Sequence, residues 1–404
     1  MAHDHDDMVW RESAVETVLE LRRSALADRP VETIGIDALP GRVLAERVVA
    51  ERDLPGHDHA TMDGFAVDAT DEYPLAVRDA EIFPEDDPPA LGGGEAVRIA
   101  TGAPLPPGAN AVLKREEATV EDGHLSGPEL DAGSYTYERG SNVAAGDVLF
   151  EEHGRLGPKD AILLGDLGHE EVRVRKRFSV GVLATGTEIH EGRQDDLDSP
   201  MLAGLVRSWG HESTYEGTVP DEYDRVRAAI AELANCHDVV LTTGGTSVGH
   251  KDYVVRALAD LGEVHFHRVR LRPGKPIAAA TLPDHGARVF AIPGKPIGAH
   301  AVTTLVARPF FSGRTGLPTV EARLERDVEL GPEGFEYAVP VDLDGESAMP
   351  MGHVDSPLSV YERQYDPSVL SSSTRASRAD GFVLTTEGLA ADTTVDVVPY
   401  PVVE

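Results

Sequence analysis

Between residues 178 and 311 short apolar runs alternate with amphipathic ones, and this alternation restricts the fold more than any other feature. Phe178-Ser-Val-Gly-Val-Leu-Ala reads as a buried strand, Met201 to Trp209 as a helix and His211 to Val219 as a strand. Asp221 to Cys236 places Val226, Ile230 and Leu233 on one helical face. Asp238-Val-Val-Leu-Thr is the next strand, Gly244-Gly-Thr-Ser-Val-Gly a turn, and Asp252 to Leu261 a helix. Pro276-Ile-Ala-Ala-Ala and Arg288-Val-Phe-Ala-Ile are further strands, and Ile297 to Ala307 is a helix. Continuous apolar strands separated by helices predict a mostly parallel sheet covered on both faces.

The rest of the chain has a different texture. Arg11 to Arg29 carries Val15, Val18, Leu19, Leu21 and Leu26 at near-helical spacing until Pro30, and residues 41–50 repeat that pattern more weakly. From about Leu54 to Tyr137, β-type runs such as Phe65-Ala-Val-Asp and Ala111-Val-Leu-Lys alternate with Pro and Gly, which reads as a small β-rich insertion. Residues 139–175 return to the character of the first segment, with a turn at Gly146-Asp147, a helix from Lys159 to Leu167 and an alternating strand, Glu171-Val-Arg-Val-Arg. Residues 318–404 revert to short strands, so a C-terminal β domain is expected. The predicted fold class is therefore multidomain, α/β plus β.

Charge limits the partners. Lys+Arg 37 against Asp+Glu 70 gives a formal net charge of −33, a field that repels nucleic-acid backbones. An aromatic content of 5% also argues against base stacking on single strands. An acidic surface with six lysines, while arginine is retained, resembles the surfaces of proteins from salt-loving organisms, where carboxylates keep the surface hydrated. Cys236 is the single cysteine, which fits a reducing cytosol. The acidic start from Met1 to Asp7 has no apolar core of a signal peptide, and no run of 18 apolar residues suits a membrane span.

Ligands of open α/β sheets bind beyond the carboxyl ends of the strands. Three strands deliver polar loops there: Ala184-Thr185-Gly186-Thr-Glu188, Thr218-Val-Pro-Asp221-Glu222, and Thr242-Thr-Gly244-Gly245-Thr-Ser247-Val-Gly-His250-Lys251-Asp252. The glycines of the last loop let backbone N–H groups turn inward before a helix start, which favours an anion. Neither a Walker A loop nor a dinucleotide fingerprint is present. If the strands are neighbours, Glu188, Asp221 and Asp252 converge on one cleft and suit a hydrated Mg²⁺ beside phosphate; as the alternative, Asp221 and Asp252 are helix N-caps. Pro273-Gly-Lys275-Pro276 and Pro293-Gly-Lys295-Pro296 repeat one tetrapeptide, each after an apolar strand. Two of six lysines in matching turns, flanked by Arg268, Arg270 and Arg272, make a local positive cluster in an acidic chain and point to a phosphate or oxyanion. Read by themselves, the turn presenting Asp63 (residues 60–66) and the Pro-rich loop carrying Thr101 (residues 99–108) are ordered turns.

These pieces together resemble the molybdopterin molybdenumtransferase (molybdenum insertase) family, the MoeA and gephyrin E-domain type. Thr-Met-Asp-Gly-Phe-Ala (61–66) resembles its Ala-Met-Asp-Gly-Tyr-Ala motif, and Ala-Thr-Gly-Ala-Pro-Leu-Pro (100–106) its Thr-Gly-Ala-Pro loop. Thr-Gly-Thr-Glu (185–188), Gly-Gly-Thr-Ser-Val-Gly-His-Lys-Asp-Tyr (244–253) and Arg-Pro-Gly-Lys-Pro (272–276) follow in family order. The resemblance implies a discontinuous linker of residues 1–50 and 139–177, a β-rich insertion at 51–138, a molybdopterin-binding α/β domain at 178–317 and a β-barrel-like domain at 318–404. It implies a cytoplasmic homodimer whose cleft lies between the α/β domain of one subunit and the insertion of the other. The implied reaction converts adenylylated molybdopterin and molybdate into molybdenum cofactor and AMP, with Mg²⁺. Asp63, Thr101, Glu188 and Asp252 are then the expected catalytic set. Asp63, Glu188 and Asp252 are the expected metal ligands. Thr185, Gly186, Asp221, Gly244, Gly245, Ser247, Lys251, Arg272, Lys275 and Lys295 are expected to bind the pterin phosphate or the nucleotide.

This chain departs from the pattern in three places: Asn142 stands where the family often has Asp, Lys295 where Asn is usual, and His250 where Glu is common. Asn142 keeps open a non-catalytic molybdopterin-binding paralogue. A molybdopterin adenylyltransferase or CinA-like hydrolase shares the α/β domain but not the motif around Asp63.

Overall fold

A computed structural model of the chain describes residues 8–245 and 252–404. It divides into two compact units: Met1–Glu32 with Pro40–Arg42 and Arg175–Glu404, and Thr33–Leu39 with Val43–Val174.

The first unit holds helix α1 (Arg11–Ala27) and a six-stranded sheet. Its strands are β1 (Ser179–Thr185), β2 (Glu212–Val219), β3 (Val239–Thr243), β4 (Glu263–His267), β5 (Ala278–Leu282) and β6 (Ala287–Ile292), in the spatial order β2-β1-β3-β6-β5-β4. β2, β1, β3 and β6 run parallel, whereas β5 and β4 are antiparallel to their neighbours. The connecting helices are α2 (Asp198–Ser208), α3 (Tyr223–Cys236), α4 (Tyr253–Leu261) and α5 (Pro296–Val302). β3 is buried along its whole length because helices cover both faces. Val226, Ile230 and Ala234 of α3 pack with Val254, Ala257 and Leu258 of α4 against Val240 and Val289.

The alternation seen in the sequence is therefore a mostly parallel sheet, with three differences. β4 was not expected; its Glu-Val-His-Phe-His composition suits a half-exposed edge strand rather than a buried one. β5 begins two residues later than predicted, at Ala278. The helix expected over 297–307 continues beyond α5 as a π-helical segment, Thr303–Ala307, into Arg308–Ser312.

In the C-terminal region Val320–Leu324, Glu336–Asp344, Ser347–Pro350, Gly381–Thr385 and Thr394–Pro399 form a five-stranded barrel. Glu336–Asp344 closes it by pairing with both Ser347–Pro350 and Gly381–Thr385. The two-residue strand Leu271–Arg272 adds in parallel to this barrel, with Leu271 opposite Glu336 and Arg272 opposite Tyr337. The loop that carries the first Pro-Gly-Lys-Pro turn is anchored there.

The second unit is built around a six-stranded sheet in which Gly64–Val67 lies between Ala111–Lys114 and Glu95–Ile99. A Cβ on Gly64 would stand 2.0 Å from the Leu113 carbonyl oxygen, so only glycine can follow Asp63 here. Residues 41–50 are not helical. Val43–Leu44 and Val48–Val49 are short strands, the second paired with Val148–Phe150, where β-branched side chains fit the pleat better than a helix. Among the described residues no helix is long and apolar enough to cross a membrane.

Candidate active site

The carboxyl edge of the parallel strands opens into a cleft of about 540 Å³, within the range of small-molecule sites. Three loop ends meet at its base. β1 ends at Thr185, whose hydroxyl donates to the Thr243 carbonyl at 3.2 Å. β3 ends at Thr243, and Gly244 follows at φ +85. A Cβ on Gly244 would lie 2.3 Å from the Thr185 carbonyl oxygen, and one on Gly245 would lie 2.7 Å from the Thr185 hydroxyl. β6 ends at Ile292, and a Cβ on Gly294 would stand 3.0 Å from the Gly244 Cα. Backbone at this edge is packed too closely for side chains, and the Gly244 N–H donates to the Ile292 carbonyl at 3.1 Å while the Gly186 N–H donates to the Val219 carbonyl at 3.0 Å.

Both Pro-Gly-Lys-Pro turns line this one cleft. They reach it differently from the sequence expectation. The second follows the parallel strand β6, but the first precedes the antiparallel strand β5. Reversing β5 brings its start beside the end of β6, with Ala278 opposite Ala291. Lys275 is half-buried; desolvation holds its ammonium below the usual range, and Arg268 and Arg272 push the same way. Arg272 stacks over Phe335 at 4.3 Å, and its buried Nε has no hydrogen-bond partner. Lys295 is exposed and donates to the Ser368 carbonyl at 3.2 Å.

Glu188 and Asp221 line the same cleft. Asp221 is not the cap of α3. Its carboxylate accepts from the Thr187 N–H at 3.3 Å while its own N–H donates to the Thr187 hydroxyl at 3.0 Å, a reciprocal clamp between the β1 and β2 loops. Asp252, expected to converge with them, opens α4 directly after residues 246–251, which lie outside the described residues. Its Oδ1 caps α4 through the Val255 N–H at 3.3 Å, its Oδ2 stands 3.4 Å from His267 Nε2, and burial pushes its carboxyl up. Ser247, His250 and Lys251 lie outside the described residues.

Asp63 and Thr101 belong to the second unit. There Asp63 accepts two hydrogen bonds from Thr101, and its carboxyl is held below the usual range. Asn142 is exposed and donates its backbone N–H to the Leu54 carbonyl. Asp53 binds the same loop, accepting from Arg139 at 2.7 Å and from the Ala145 N–H at 2.9 Å.

Sequence reasoning missed one wall. Pro367, Ser368 and Ser371 reach the cleft from the short helix Pro367–Leu370. Asp366 caps that helix by accepting from Ser368 at 2.9 Å and Val369 at 3.2 Å. The Asp-Pro pair, N-cap followed by N1 proline, was the available local signal.

No group of three His, Cys, Asp or Glu residues gathers among the described residues in a way that could hold a metal by itself. Glu188 and Asp221 both line the cleft, and their carboxylate oxygens are the kind of hard ligand a hydrated Mg²⁺ takes.

Residues 11–168 match the MoeA N-terminal region (domain I and II), and residues 181–313 match the probable molybdopterin binding domain. A molybdopterin molybdenumtransferase from Synechococcus elongatus is 31% identical over 319 residues, 72% of this chain and 77% of that protein. The chain belongs to the molybdopterin molybdenumtransferase family. A family member of the same name from Haemophilus influenzae is 32% identical over 269 residues, 63% of this chain and 66%, just under two thirds, of its own length. The crystal structure of the molybdopterin biosynthesis MoeA protein from Pyrococcus horikosii matches with a TM-score of 0.72 and 29% identity, covering 97% of this chain and 99% of that one.

Proposed function

We propose that this chain is a molybdenum insertase, which takes adenylylated molybdopterin and molybdate, opens the phosphoanhydride and releases AMP and molybdenum cofactor. The observation that carries this reading is the meeting of three glycine-bearing loop ends and two Pro-Gly-Lys-Pro turns in one cleft that Glu188 and Asp221 also line. The Gly245 N–H, with Lys275 and Arg272, binds the phosphates; a preorganised donor set of this kind gains most where charge builds on the leaving phosphate. Lys295, beside Ser368, takes the molybdate oxyanion. Asp63, Glu188 and Asp252 would hold Mg²⁺, with Asp221 beside Glu188, and the ion would neutralise phosphate charge.

Asp63, held by Thr101, is supplied to the cleft by a second subunit in a homodimer. Within the subunit we divide the chain into 1–50 with 139–177, 51–138, 178–317 and 318–404. The single cysteine supports a cytoplasmic setting, and the net charge of −33 supports work in high salt.

Incubating the purified protein with adenylylated molybdopterin, Mg²⁺ and molybdate tests the reaction. AMP release that requires molybdate supports it. Tight binding without AMP supports the non-catalytic reading that Asn142 keeps open, and no binding removes both. A mixture of Asp63→Asn and Glu188→Gln subunits that recovers activity neither variant has alone supports the shared cleft.

A further inference from the structure

Gly244 is the hub of the cleft floor: the Thr185 carbonyl and Gly294 both pack against it, as described above. Its position is set by Thr243, the last residue of β3. The Thr243 hydroxyl donates to Oδ2 of Asp198 at 2.9 Å, from beneath the sheet edge. Asp198 opens α2, is 7% exposed and does not line the cleft. Its other oxygen, Oδ1, is buried with no hydrogen-bond partner, as are Oδ2 of Asp196 and Oγ of Ser199. Asp196 is occupied on its other side, accepting the Ser199 N–H at 3.0 Å. A buried carboxyl whose one described side-chain partner is a hydroxyl is an expensive way to fasten a helix, and apolar packing would fasten it better. The polar contact therefore has another use, and the group it touches leads to the anion-binding turn.

We propose that Asp198 is a positioning residue: acting through Thr243, it fixes the Gly244–Gly245 turn, whose Gly244 N–H is held by the Ile292 carbonyl at 3.1 Å, so that the Gly245 N–H meets the bound phosphate. The two hydrogen bonds, from the Thr243 hydroxyl to Asp198 and from the Thr185 hydroxyl to the Thr243 carbonyl, tie α2, β3 and β1 together next to that turn. Ionised Asp198 accepts from the hydroxyl and orients it. Asparagine can accept in the same place through its carbonyl oxygen, whereas alanine cannot. The proposal rests on the reading of the cleft as a phosphate site.

AMP and inorganic pyrophosphate serve as probes, titrated calorimetrically at 25 °C and pH 7.5 against the full chain and against Asp198→Ala, Asp198→Asn, Thr243→Val, Thr243→Ser and the Asp198→Ala/Thr243→Val double variant. Melting temperatures are measured alongside. Loss of one charge-assisted hydrogen bond predicts that Asp198→Ala and Thr243→Val each weaken binding about ten-fold, with the double variant no weaker than either alone. Asp198→Asn and Thr243→Ser bind within about three-fold of wild type, since each keeps the contact. If Asp198→Ala melts earlier but binds both probes as the wild type does, its role is only structural and the proposal is overturned. Additive losses in the double variant also overturn it, because the two residues then act separately. Should Asp198→Ala fail to fold, Thr243→Val with rescue by Thr243→Ser decides the same question. A wild-type chain that binds neither probe removes the phosphate reading itself, a different result from a wild type that binds and a variant that binds equally.

Discussion

Thr101 donates twice to one oxygen of Asp63, through its backbone N–H at 2.7 Å and its hydroxyl at 2.8 Å. The backbone bond, then the hydroxyl, hold the Asp63 carboxyl below its usual range, so this exposed aspartate stays ionised and aimed. Thr101→Val keeps the backbone donor and removes the hydroxyl. Its Asp63 carboxyl titrates higher by carbon-13 NMR, and AMP release falls about ten-fold, the scale of one hydrogen bond to a charged group. Thr101→Ser restores both. An unchanged titration in the valine variant refutes the positioning role.

The two lysines of the repeated turns differ in burial, so their substitutions separate. Lys275 is half-buried between Arg268 and Arg272, and Lys295 is exposed. Lys275→Ala weakens AMP binding by about ten- to a hundred-fold, as expected for losing a partly desolvated charge contact. Lys295→Ala changes AMP affinity less and raises the molybdate requirement instead. Equal effects of both substitutions on both ligands show that the cleft has no division between phosphate and oxyanion ends.

Glycine positions give opposite predictions within one unit. Gly244→Ala places a methyl 2.3 Å from the Thr185 carbonyl at φ +85, and destabilises by roughly 1–3 kcal/mol or more in urea unfolding. Gly204, inside α2, has nothing within 4 Å of an added Cβ, and Gly204→Ala stabilises by about 0.5–1 kcal/mol. A Gly204→Ala protein no more stable than wild type contradicts the open space beside that helix face.

Local chemistry made much of this site legible. The endings of β1, β3 and β6 were readable because strand period, glycine turns and helix starts are all short-range signals. The role of β5 was not, because its direction is set by pairing with β6 and not by its own residues. That reversal is why the first Pro-Gly-Lys-Pro turn belongs to the start of a strand and yet meets the second turn. Asp252 was ambiguous for a related reason: a carboxylate before a helix is equally suited to capping and to ligation, and the Val255 contact establishes only the first. The Ser368 wall lies 73 residues beyond Lys295, where no local pattern links the two. Residues 41–50 failed as a helix because their apolar spacing is ambiguous over so short a run.

The acidic surface makes a prediction about salt. With a net charge of −33, like charges repel across the folded surface at low ionic strength. Raising KCl shortens the screening length to about 3 Å at 1 M and relieves that repulsion. The melting temperature therefore climbs from 0.1 M to 2 M KCl by several degrees. A flat or falling curve over that range shows that the surface charge is not a destabilising load.

Asp198 gives the clearest pH dependence. Burial, the largest cause, lifts its carboxyl from 3.8 to about 6, opposed by the Thr243 hydrogen bond and reinforced by the charge of Asp196. The group is therefore protonated more readily in the folded chain than in the unfolded one. Its favourable contribution is complete below about pH 4, declines between 4 and 6, and is gone above about 6. Asp198→Asn cannot ionise and escapes this decline, so its stability relative to wild type improves as pH rises through that window and then levels off. Acidic groups with lowered values, Asp63 and Asp355 among them, give the opposite slope in both proteins and cancel in the difference. Urea unfolding of both proteins at intervals from pH 4 to 8 measures that difference directly. A difference that stays constant across pH 4 to 6 shows that Asp198 ionises as freely in the folded protein as in the unfolded one.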